Sequence, residues 1–179
     1  MAKLAITENP RIVRFGGPIT KDVYRTHATQ LWLKGTLLEI TSGLLLPVVD
    51  TKAEAAEIDT DDTGTATRLF IALEDHTSAG TVFHAVQEIL SDTVIEATLC
   101  ATASTDPTGA NVAISGSYTG YQLRNAAYEG TGLWGIDVDD TTKPVFRVID
   151  AQSNYEPHTT TTTEDYVKVL VKVLPTIVA

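Results

Sequence analysis

The chain has 179 residues and a mass of 19.2 kDa, enough for one large domain or two small ones sharing an interface. With 43% hydrophobic and 20% charged residues its composition is globular rather than disordered, and a chain this long buries about two-thirds of its unfolded surface without a staple. A net charge of -10 argues against a nucleic-acid coat, and a single cysteine, Cys100, excludes an intramolecular disulfide and a cysteine-rich zinc site.

The charge is unevenly spread. Residues 1–35 carry Lys3, Arg11, Arg14, Lys21, Arg25 and Lys34 against Glu8 and Asp22, a balance of +4, and the remainder carries -14. Residues 1–29 lack strong periodicity, contain Pro10, Gly16, Gly17 and Pro18, and are expected to form an extended basic arm. No basic stretch leading into an apolar core opens the chain, so no secretory signal is expected. The longest apolar runs, Gly43–Val49 and Leu69–Leu73, fall far below the roughly 20 residues that cross a bilayer.

Beyond the arm, Gln30–Lys34, Thr36–Thr41 and Leu44–Asp50 read as strands, with a Ser-Gly turn between the last two. Thr51–Ile58 is the only stretch rich in helix formers. It spans barely two turns and is expected to be a surface turn. Thr67–Leu73 is apolar throughout, as a strand covered on both faces requires. Gly80–Ile89 and Val94–Leu99 complete a first β region over residues 30–100. A polar bridge, Ala101–Gly109, leads to a second region over residues 101–179, with strands at Asn111–Tyr118, Leu133–Val138, Pro144–Asp150 and Tyr166–Leu174. In the last of these Val167, Val169, Val171 and Val173 alternate with Lys168 and Lys172, the period of a strand with one face in a core. Thr159–Thr163 reads as a polar loop tip. Short strands at this spacing define an all-β sandwich or barrel. Whether the second region is a separate domain or closes the first stays open.

The chemical motifs are mostly negative. Gly130, Gly132 and Gly135 satisfy G-x-G-x-x-G, but Ile136-Asp137-Val138 alternates like a strand where dinucleotide binding needs a helix N-terminus; a glycine-bearing turn is expected. Asp59–Gly64 opens like a calcium loop, yet Phe70 stands where the bidentate glutamate belongs. Asp137, Asp139 and Asp140 form a similar cluster, and solvated Asx turns are the expected role of both. Cys100 ends a strand-like run and reads as a buried small hydrophobe. Of the histidines (His27, His76, His84, His158), His84 alternates with Val82 and Val86 and is expected on an apolar face. Neither H-E-x-x-H, G-x-S-x-G nor a P-loop occurs, so an enzyme, a cofactor and a metal are not expected.

The series WLKGTLLEITSGLLLP (Trp32–Pro47), TRLFIALEDH (Thr67–His76), GTVFHAVQEIL (Gly80–Leu90) and DTVIEATL (Asp92–Leu99) resembles the head-decoration, or capsid cement, proteins of tailed bacteriophages. The resemblance covers about Gln30 to Cys100, and GLWGIDVDD and VLVKVLP look like the closing part of longer relatives. It implies a β-tulip barrel with an extended arm, a homo-oligomer (commonly a trimer), and a seat on the outer surface of the virion head after synthesis in the host cytoplasm. The implied partner is the major capsid protein, without nucleic acid, membrane or cofactor. An extended arm also offers free backbone groups to a neighbouring sheet edge. Its cations Arg11, Arg14, Lys21 and Arg25 are the expected contacts to an acidic capsid surface. Trp32 packs either on the arm or a neighbour, or beneath the second β region. Two other classes remain open: a tail or head-completion β protein, and a carbohydrate-binding sandwich, against which the 7% aromatic content speaks.

Overall fold

A computed structural model of the chain describes residues 10–48, 56–58, 68–100, 115–122, 134–151 and 168–178. These residues form strands without a helix. In chain order they are β1 (Arg11–Arg14), β2 (Ile19–Thr20), β3 (Arg25–Thr26), β4 (Leu37–Thr41), β5 (Leu44–Pro47), β6 (Ala56–Ile58) and β7 (Leu69–Ala72). There follow β8 (Val86–Ile89), β9 (Val94–Cys100), β10 (Ser117–Tyr118), β11 (Gly120–Gln122), β12 (Trp134–Asp137), β13 (Phe146–Ala151) and β14 (Lys168–Val173).

Two sheets result. A six-stranded sheet runs β2-β8-β7-β4-β5-β3, and an eight-stranded sheet runs β10-β13-β14-β9-β12-β11-β6 with β1 also paired to β9. The β4–β5 hairpin forms where the sequence places it. Ser42 and Gly43 both take positive φ (52° and 80°) between paired Thr41 and Leu44, the two-residue type I′ geometry that matches strand twist. β7 is apolar at every position because both its faces are covered. Leu69 and Ile71 enter one core, while Phe70 and Ala72 enter a second.

The main core lies between the sheets. Leu37, Leu69, Ile71 and Ile89 of the six-stranded sheet join Ile95, Ala97, Leu99, Ile136 and Val148 of the eight-stranded one. Val169, Val171 and Val173 enter it as their alternation requires. Trp134 is fully buried there, stacks on Phe146 with ring centroids 5.1 Å apart, and donates Nε1–H to Gly35 O at 2.8 Å. The two predicted β regions therefore share one core, and β9, together with β1 and β6, lies in the eight-stranded sheet beside the strands of the second region. The smaller second core, on the far face of the six-stranded sheet, gathers Trp32, Leu38, Leu45, Phe70, Ala72 and Val86 under Tyr24 and Ile40.

Several expectations change. The fold is all-β, but among the described residues no ladder closes a barrel. The six-stranded sheet is open, and residues 24–26 meet residues 82–84 through a single bridge, Arg25–Phe83, rather than a continuous ladder. Gln30–Lys34 forms no strand; Trp32 makes a single bridge to His76. Gly80–Ala85 is irregular, so Val82 is exposed while Val86 is buried. Of Thr51–Ile58, the described part is strand β6, paired to β11, with Ile58 in the main core. A segment too short to hold a helix by itself takes the partner that tertiary structure offers. Gly135 lies within β12, not in a turn. Asp59–Gly64, Ala101–Gly109, Gly130, Gly132, His158 and Thr159–Thr163 lie outside the described residues.

Candidate partner-binding surface

From Pro10 onward the basic segment runs as short strands joined by turns, with Phe15 and Asp22 at positive φ, and is sewn onto the body. β1 lies antiparallel along β9, and β2 lies along β8. Between them Gly17 N–H donates to Glu88 O at 2.8 Å, and Glu88 N–H donates to Pro18 O at 3.2 Å. Farther on, His84 N–H donates to Tyr24 O and Thr26 N–H to Val82 O, while β3 also adds in parallel to β5. Thr26 is fully buried; its hydroxyl donates to Gly80 O at 2.7 Å and accepts from Val82 N–H at 3.1 Å. Residues 10–27 are therefore an edge ribbon of both sheets rather than a free arm. The backbone groups expected to be available for strand addition are in large part spent within the chain.

A second device holds the ribbon. Arg68 makes a bidentate pair with Glu88 (2.6 and 2.7 Å) and donates to the Tyr24 hydroxyl at 2.6 Å. Its guanidinium lies over Phe70 and Tyr24. Hydrogen bonding from Arg68 holds the Glu88 carboxyl below the usual carboxylate range.

The sequence-predicted contacts fall on this ribbon with one exception. Arg14 and Lys21 are exposed. Arg11 is exposed but tied: its Nε lies 2.9 Å from Glu96 Oε1, which Lys168 Nζ also approaches at 3.5 Å. Arg25 places its guanidinium 4.8 Å above the Phe83 ring. Trp32 is the exception. It has no accessible surface and fills the second core, so it offers nothing to a partner.

Sequence reasoning missed the apolar half of the surface. Among the described residues the exposed large hydrophobics are Val13, Phe15, Ile19, Val23, Val82 and Phe83, with Phe15 and Ile19 reaching 64% and 63% exposure. All lie on the ribbon or on the loop it is zipped to, interspersed with Arg14, Lys21 and Arg25. Apolar side chains held out in water beside cations mark an interaction surface better than charge alone. The only sequence signal was apolar residues in a segment without core periodicity.

The remaining candidates resolve locally. Asp137 Oδ1 accepts Asp139 N–H at 2.9 Å, and Asp140 Oδ1 accepts Thr142 N–H at 2.6 Å, both Asx turns, but Asp137 is fully buried at the end of β12 rather than solvated. Cys100 is buried, and burial, with Asp137 and Asp139 nearby, pushes its thiol far above the ordinary range. His27 Nδ1 faces Thr29, whereas His76 and His84 meet at 3.0 Å beside Trp32. Compared with protein families, with characterised proteins and with solved structures, the chain matches none.

Proposed function

We propose that this chain is a non-enzymatic decoration protein that binds the outside of an assembled icosahedral phage head and stabilises it, acting as a homo-oligomer, with a trimer favoured. The reading rests on the strand-and-turn resemblance over Gln30–Cys100. The observation that carries it further is the ribbon of exposed Val13, Phe15, Ile19 and Val23 interspersed with Arg14, Lys21 and Arg25. Cations there meet the acidic surface of the major capsid protein, while the apolar side chains leave water on docking. The rest of the chain carries the net negative charge. A clamp of this kind works by mass action, because binding only the assembled shell stabilises that shell.

The test is co-sedimentation of the protein with expanded capsids lacking it, with bound copies counted. Saturation near one copy per capsid subunit, followed by survival of more heat, supports decoration. Phe15→Ser with Ile19→Ser, or Arg14→Glu with Lys21→Glu, should abolish that binding without unfolding the protein, because these side chains are exposed. Binding of a handful of copies, or none, rejects decoration and favours a tail or head-completion role.

A further inference from the structure

The second core contains a polar cluster that packing alone does not require. Trp32, His76 and His84 meet pairwise, with ring centroids 4.6 to 5.5 Å apart. His84 Nε2 lies 3.0 Å from His76 Nδ1. Among the described residues, Trp32 Nε1, His76 Nε2 and His84 Nδ1 are buried and find no hydrogen-bond partner. A buried polar group without a partner costs free energy, and three gathered in one cluster call for an explanation.

The cluster closes the loop between β7 and β8. Trp32 and His76 exchange both backbone bonds, at 3.0 and 2.8 Å, pinning one end of the loop. At the other end His84 follows Phe83, and Glu74 Oε1 accepts Ala85 N–H at 2.7 Å. We infer that His76, His84 and Trp32 form a proton-operated latch on this loop, closed while the imidazole pair is neutral and opened when both rings are charged.

The proton count gives the mechanism. At 3.0 Å the two facing nitrogens hold one proton between them. Glu74 Oε1, 3.2 Å from His84 Nδ1 though without hydrogen-bond geometry, favours a proton on Nδ1. His84 Nε2 then accepts from His76 Nδ1–H, which leaves His76 Nε2 bare. A first added proton enters there without disturbing the pair. A second sets N–H against N–H and places two cations side by side, so the rings must part. Burial, with His84 adding to it, holds His76 below the ordinary imidazole range. Nearby charges are otherwise engaged: Asp75 accepts Lys34 N–H, His27 faces Thr29, Arg25 covers Phe83, and Arg68 is bound to Glu88 and Tyr24. Among the described residues Glu74 is the carboxylate facing the pair, and its attraction to a charged His84 draws that ring away from His76.

The latch stands whether or not the ribbon docks to a capsid. It is tested by hydrogen–deuterium exchange on the full-length protein at about pH 7.5 and about pH 5, corrected for intrinsic exchange. Protection of residues 74–85 should fall about tenfold in acid while residues 94–100 keep theirs. Equal loop protection at both pH values overturns the inference, and so does parallel loss in 94–100, which signals global unfolding. His84→Gln should remove the pH step. If that variant does not fold, imidazole and loop-amide titrations of the wild type by NMR decide: loop amides that ignore the histidine titration sink the latch.

Discussion

Trp134→Phe tests the claim that both β regions share one core. Its indole N–H reaches Gly35 O at 2.8 Å, from β12 across to the turn before β4, and both groups are buried. Phenylalanine keeps the ring beside Phe146 but leaves the Gly35 carbonyl unpaired, at a cost of about 1–3 kcal/mol. Losing part of a buried indole adds about 1–2 kcal/mol, a fraction of the roughly 3–5 kcal/mol for full truncation to alanine. The sum, about 3 kcal/mol, lowers Tm by about 6–12 °C for a chain of this size. Calorimetry and urea titration followed by far-UV circular dichroism measure it. One cooperative transition should move as a whole, with an unchanged denaturant slope. Two transitions with only one displaced, or a loss under about 0.5 kcal/mol, would refute the shared core.

Gly17→Ala should destabilise the fold by about 1–3 kcal/mol in urea titration, because the added Cβ meets the Glu88 carbonyl oxygen at 2.8 Å and strains the ribbon's bond to β8. Wild-type stability would mean that the ribbon is not seated there. Cys100 should resist thiol reagents in the native protein and react fully in urea, since its thiol is buried and its ionisation suppressed; rapid native labelling would contradict that burial. Folding stability should fall as the pH drops. Burial, with the neighbouring His84 adding to it, keeps folded His76 neutral where the unfolded ring, titrating near 6.5, already binds a proton. That contribution is complete above this value and is lost below it, at up to about 1.4 kcal/mol per pH unit. Glu88, held low by Arg68, adds a loss in the same direction through the carboxylate range. His76→Gln should flatten the first limb, and unchanged pH dependence would show that His76 does not titrate between the two states.

Strands with a full period of pattern are legible in the residues themselves. Val169, Val171 and Val173 announce an inner face, Leu69–Ala72 a doubly covered strand, and Ser42-Gly43 the hairpin turn, because each rests on local geometry. Among the two- and three-residue strands, β2, β3, β6 and β11 are not legible: segments that short hold no periodicity and form where a neighbour's backbone groups need partners. The cations of the surface can be counted from the sequence, but its apolar members cannot. Phe15 and Ile19 differ from core residues only in where the sheet edges leave them.

Alternation, turn chemistry and composition act over a few residues, and they suffice for the all-β class, the hairpin and the charge asymmetry. Packing of the two sheets made residues 10–27 a seam rather than a tail, turned Trp32 inward and brought His76 to His84. These are pairings between distant residues, set by which edges and faces remain to be covered once the sheets have packed.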